Sequence, residues 1–356
     1  MSSAREPSSS NESSTDTPTP TPSCTPPIPL SAAQEFASLS DTEALKQALA
    51  LKSVIYTHSS YFSRVRQARD PNREAEIIVI GEGTQGTIFE MIGDGMVVKK
   101  EKPEQQGRMF CLQEEFTMHI AVNAAFKRYR DHARCDVLIP YPFYYVPKDY
   151  ADFWNELEHD FHSLRNFHLT LPEMEELGMD VKALAAQLGK AFAIMHWGAE
   201  ADGNDVEFVL GTRILPSSSS SSAASSPSSS PSSSPGSPRP ARRATAWANE
   251  DPNFQRREVN LFMVDFGRCN RVSLRNGPPP VVYQLYKAAM ASGANELYVP
   301  HPRQTPRLFR AFRQAYVEVA EAILKDRGLQ NRFNADAFMW DFEDYAEVCL
   351  KYRSID

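Results

Sequence analysis

The spacing of apolar positions changes several times along the chain, and each change marks an element. Phe36, Leu39, Leu45 and Leu49 recur at helical steps, so the spacing predicts a helix from near Ser31, with Asp41 a candidate internal break. A short continuous apolar run follows at Ile77 to Ile80 and reads as a buried strand. After Gly81 to Gly86, the β-branched and aromatic residues Thr87 to Ile92 and Met96 to Lys100 flank Gly93-Asp94-Gly95, the chemistry of a tight hairpin. The predicted order is strand, glycine loop, strand, turn, strand.

Helical spacing returns at Met109 to Phe126, with Leu112, Phe116, Ile120 and Val122 or Ala125 inward. Val137 to Val146 and Phe167 to Leu171 read as further strands, with a charged, partly helical insertion around Trp154 to Phe161 between them. Asp180 is a cap for a helix carrying Val181, Leu184, Leu188, Phe192 and Met195 and ending near His196. Val206 to Leu210 and Leu261 to Val264 read as two strands of one hairpin. Thr305 and Pro306 open a helix striped by Leu308, Phe309, Phe312, Tyr316, Val319 and Ile323, which stops before Gly328. A last helix is predicted over Ala335 to Lys351.

Between those hairpin strands lies Ser217 to Pro238, nearly pure Ser and Pro, and the N-terminal stretch to Pro29 is equally poor in aromatic residues. Such composition buries too little surface to offset chain entropy, so both are expected to be disordered. The domain reading is therefore a tail over 1–30, a helical extension over 31–74, a β subdomain over 75–175, and a helical subdomain over 176–356 with a disordered insertion at about 212–250. The fold class is α+β, a two-lobed arrangement of a small antiparallel β lobe and a helical lobe.

Composition narrows the function classes. The chain has 356 residues, is 42% apolar and carries a net charge of −7, so direct nucleic-acid binding is not expected without a local basic patch. Arg239, Arg242 and Arg243 offer one short patch, readable as an import signal, as a docking site for a kinase acting on Thr245, or as a plain solvated linker. No apolar run reaches the roughly 20 residues that a membrane span needs, and no leader pattern precedes the first elements. An intracellular protein, cytoplasmic or nuclear, is expected. The five cysteines, Cys24, Cys111, Cys135, Cys269 and Cys349, have no CxxC pair and no histidines at finger spacing, so zinc is not expected.

The chemistry lies in the order of a few motifs. Gly81, Gly83 and Gly86 bridge two strands, whereas a dinucleotide site needs a helix after its glycines. A glycine loop between strands lays backbone amides over phosphates, and a lysine on the third strand reaches them; Lys99 is preferred to Lys100, which alternation turns to the other face. A carboxylate from the following helix should hold that lysine, and Glu115 is preferred to Glu114. Asp265-Phe266-Gly267 follows an apolar strand, which makes Asp265 a metal candidate. The stretch from His196 to Asp205 has no Asp five residues before Asn204 or Asp205. Asp205 is then a candidate metal ligand, with Glu200 or Asp202 as a substitute base; a polar turn that merely joins helix and strand is the alternative.

Gly81 to Gly86, Lys99, Glu115, Asp205 and Asp265-Phe266-Gly267, in that order, resemble the protein-kinase-like superfamily, including its aminoglycoside and choline phosphotransferase branch. Met195-His196-Trp197, Asp205 to Gly211 and Tyr298-Val299-Pro300-His301-Pro302 look like a fungal family catalogued as domain of unknown function 3669. The first resemblance implies a nucleotide cleft with ATP and Mg²⁺ as candidate ligands. The second supplies no substrate, and the shortened loop after His196 departs from a working kinase. The expected function is a pseudokinase-like regulatory or interaction module with a protein partner. The alternatives are an atypical Mg-dependent phosphotransferase on a small molecule or protein, and a transcription-associated interaction protein.

Overall fold

A computed structural model of the chain describes residues 38–57, 77–82, 86–91, 96–101, 112–140, 144–146, 169–215, 255–293 and 295–353. The N-terminal tail, the Ser/Pro tract, the insertion around Trp154 and the segment holding Gly83 lie outside these residues.

Helix α1 (Asp41–Leu49) starts where Ser40 and Glu43 form a reciprocal capping box. The extension was expected to be helical throughout. Instead Val54–Thr57 forms strand β1, which pairs antiparallel with residues 255–258 about 200 positions later.

Strands β2 (Ile77–Glu82), β3 (Gly86–Met91) and β4 (Met96–Glu101) form an antiparallel meander. A fourth strand, β5 (Tyr144–Val146), joins β4 in parallel, so this sheet is not wholly antiparallel. Among the described residues, this short piece and a bridge at Leu138 represent the strand expected over Val137 to Val146. Of the strand expected over Phe167 to Leu171, Phe167 and His168 lie outside the described residues, and Leu171 instead opens a helix α3 (Leu171–Glu176) that Thr170 starts through a capping box with Glu173. The Thr-x-x-Glu spacing is that of a helix start.

Helix α2 (Leu112–Tyr129) sits between the sheet and the remaining helices. Helix α4 (Val181–Ala193) is capped by Asp180, whose side chain accepts from the Ala183 amide at 2.9 Å, and runs on as a π turn over Ile194–Ala199. The chain then turns at Glu200 with φ of 57°. Strands β6 (Glu207–Ile214) and β7 (Gln255–Val264) pair antiparallel over their length, and β7 is the centre of a second sheet, ordered β1-β7-β6. Helices α5 (Pro279–Met290), α6 (Asn295–Tyr298), α7 (Pro306–Asp326) and α8 (Ala335–Arg353) complete the described residues.

The core lies where α4, the π turn, α5, α7 and α8 converge. Trp197, Tyr286, Tyr316 and Phe338 are fully buried, with Trp197 edge-on to Tyr286 at 5.3 Å. Helices α4 and α7 cross at backbone distance, because a Cβ on Gly189 would run into the Phe312 carbonyl. Any larger residue there would push the two helices apart. Among the described residues, no helix is long and apolar enough to cross a membrane.

Candidate functional site

Strand alternation turns Lys99 towards α2, where its ammonium donates to both carboxylate oxygens of Glu115 at 2.8 and 2.7 Å. Glu115 is only 3% exposed. Burial pushes its carboxyl above the usual range, the Lys99 charge opposes that shift, and the charge of Asp265 adds to it. Asp265 therefore acts on the same space as the Lys99–Glu115 pair. One turn along α2, on the same face, His119 sets its ring edge against Phe266 at 4.9 Å. Its Nε2 lies 3.0 Å from the Pro140 carbonyl. So α2 touches the lysine strand through one side chain and the Asp265-Phe266-Gly267 turn through another.

One of the glycines has a local explanation. Gly81 and Gly86 lie in the strand ladders, opposite Ile88 and Glu101. A Cβ on Gly86 would meet the Lys100 carbonyl at 2.5 Å, so the approach of β3 to β4 itself demands glycine there. Packing alone accounts for this residue, whatever lies over the strand.

Asp265 has φ of 58° and an exposed side chain whose Oδ1 accepts from the Gly267 amide at 3.3 Å. The residues after it are laced to the loop at 200–205. Asp202 is 4% exposed, and its carboxylate accepts from the amides of Asn204 and Asn270 at 3.0 and 2.8 Å and from the Asn270 side chain at 2.9 Å. Burial raises its pKa against these bonds. The Asn204 side chain donates to the Arg268 carbonyl, and Ala201 bridges Arg271. Cys269, buried beneath, has its thiol pushed well up, by burial first and then by the charges of Asp202, Asp265 and Asp205. Those carboxylates thus converge around one sulfur.

Glu200 points away from this convergence. One oxygen pairs with Arg327 beyond the end of α7, and the other accepts from the Leu274 amide at 3.0 Å. Burial would raise its pKa, but the Arg327 bond, the Leu274 bond and the Arg327 charge prevail and leave it lowered. Arg327 also donates to the Trp197 carbonyl, so Glu200 ties the π turn to α7. Of the two substitute bases expected from the sequence, one is a clasp between helices and the other is a buried hub of a turn.

Asp205 is paired with Arg268, whose guanidinium lies 3.0 Å from it. Nothing in the sequence reading singled out Arg268; its signal is a cation directly after the Asp265 turn. Magnesium requires several oxygen ligands in near-octahedral array. Here Asp205 is paired with Arg268, and one oxygen of Asp265 accepts from the amide of its own turn. A Mg²⁺ shared by Asp205 and Asp265 would have to compete with Arg268 for the Asp205 carboxylate.

The stretch from β7 through the Asp265 turn to the end of α7 is also where the sequence matches a known pattern. Residues 261–328 match domain of unknown function 3669, described as zinc finger protein. This span contains one cysteine, Cys269, and one histidine, His301, whereas a zinc finger needs four such ligands. The match accords with the closer resemblance drawn from the sequence; the kinase-like one rests on the order and pairing of residues. None of the curated proteins matches the chain.

Proposed function

We propose that the protein is a kinase-like module that keeps a ligand cleft and works without phosphoryl transfer, as a regulatory or interaction unit for a protein partner. The observation that carries this reading is a contrast within one site. Lys99 and Glu115 form the buried pair that a phosphate-binding cleft needs, while both substitute bases are committed to holding the fold. A buried ion pair is a weak contributor to stability compared with a well-packed apolar pair, so its presence favours a ligand-related role. Loss of a general base lowers phosphoryl transfer about 10²- to 10⁴-fold.

The test is thermal stabilisation of the full chain by millimolar ATP, with a parallel assay of hydrolysis and transfer. Stabilisation in the parent that is lost in Lys99→Met, with no turnover, is the expected result, since a ligand bound only by the folded state raises its apparent stability. Turnover that falls in Glu200→Gln or Asp202→Asn would replace this reading with the atypical phosphotransferase. Absence of stabilisation would leave an interaction scaffold with an unused cleft.

A further inference from the structure

We propose that Arg268 stands in for a metal ion, so that a nucleoside diphosphate is held in the cleft without a divalent cation at Asp205. The inference rests on the cleft reading above and adds its cofactor requirement.

Arg268 directly follows the Asp265-Phe266-Gly267 turn, and its guanidinium meets the Asp205 carboxylate at 3.0 Å. The geometry is held from several sides. The Arg268 carbonyl accepts from Asn204, the residue next to Asp205, and the neighbouring Cys269 thiol donates to the Asn204 carbonyl at 3.5 Å. Asn270 is fixed to Asp202 through both its backbone and its side chain. Side-chain bonds to the backbone on either side of the pair therefore hold the two segments together, so that Arg268 and Asp205 meet on a fixed frame.

The charges then balance in pairs. Lys99 offsets Glu115 and Arg268 offsets Asp205; of the other two carboxylates here, Asp202 is buried among amide donors and Asp265 is exposed and bent onto the Gly267 amide. Phosphate oxygens facing an uncompensated carboxylate need a cation between them. At Asp205 the chain supplies that cation as a side chain, whose guanidinium presents donors that suit phosphate, while Asp265 still opposes the phosphates with or without metal.

The experiment is calorimetric titration of the full chain with ADP, in Mg²⁺ and in EDTA. The parent should bind with affinities within about threefold of each other in the two conditions. Arg268→Gln should lose at least tenfold in EDTA and recover most of it with Mg²⁺, while Arg268→Lys should stay within threefold of the parent. Melting curves check the fold, and the exposed position of Arg268 predicts a shift of no more than a few degrees. Asp265→Asn, which removes that exposed charge, should strengthen binding in EDTA. A parent whose binding drops tenfold or more in EDTA overturns the inference, as does an Arg268→Gln protein with the metal response of the parent. Absence of ADP binding in both conditions is a different failure: it removes the cleft reading and this inference with it.

Discussion

The hydroxyl of Tyr316 lies 2.8 Å from Nδ1 of His196, and this bond fixes the state of the imidazole. Trp197 donates its indole N–H to the same hydroxyl at 2.8 Å, so the tyrosine proton is directed at Nδ1. Nε2 then carries the histidine proton and donates to the Asp202 carbonyl at 3.1 Å. Fully buried and held neutral, His196 has its pKa lowered to about 3, chiefly by burial.

A pH dependence with a definite sign follows. The unfolded imidazole titrates near 6.5, so unfolding takes up a proton at any pH between that value and about 3. The stabilisation is complete above about 6.5 and is lost progressively as pH falls through that window. In urea titrations from pH 7 to pH 4, the parent should lose up to about 1.4 kcal/mol per unit more than His196→Phe. The variant should be the less stable of the two at pH 7. The opposing contribution of Asp202 is common to both proteins and drops out of the comparison.

For the Lys99–Glu115 pair, the physical expectation is strong non-additivity. Lys99→Met or Glu115→Gln alone leaves a buried group without its partner and should cost about 3–5 kcal/mol. Combining Lys99→Met with Glu115→Leu should recover most of that loss, since a packed apolar pair often matches a buried ion pair. Additive losses in the double variant would mean that the two side chains act separately.

Arg327 and Glu200 should behave as a structural clasp. Glu200→Gln keeps the shape but removes the charge, and Arg327→Ala removes the donors to the Trp197 carbonyl as well. The first should destabilise by about 1 kcal/mol and the second by about 1–3 kcal/mol, with ADP affinity unchanged in both. A selective loss of ligand binding with no change in melting temperature would place Glu200 in the cleft.

The ladder between β6 and β7 runs to Ile214 and Arg257, and the Leu215 amide adds a further bond to the Arg256 carbonyl at 3.1 Å. The intervening segment is therefore joined at two paired positions, and loop closure depends on length only at about 0.6 kcal/mol per doubling. Deleting Ser217 to Pro238 should leave the melting temperature within a few degrees. Insolubility of that deletion would show that the tract has contacts with the domain.

Legibility in the sequence followed the range of the interactions. Local signals were readable: the 3.6 period of α7, the Asp180 cap, and the β3–β4 pairing around Gly93 to Gly95. The choice of Lys99 over Lys100 was readable too, because alternation is a local rule and only one face meets a helix. β1 was missed because its partner is about 200 residues away and four residues carry no period of their own. The parallel attachment of β5 to β4 is likewise a tertiary fact. The π turn at Ile194–Ala199 escaped because its apolar residues continue the α4 stripe, so the period gives no sign of a changed pitch. The structural partners of Glu200 and Asp202 were not legible for another reason. Carboxylates in a short loop look available until their partners, Arg327 and Asn270, are brought in from 127 and 68 positions away.

Helix α2 is fastened at both ends. Glu115 in its first turn holds Lys99, while Arg128 and Tyr129 in its last turn both bond to Asp326 at the end of α7, at 2.7 and 2.9 Å. Its 18 residues span about 27 Å as one rigid rod. In mechanical terms it is a strut with two pins. A rod so held would pass a displacement of its Asp326 end along to the Lys99–Glu115 pair at the other, about two-thirds of a helix length or more away, instead of absorbing it within the helix.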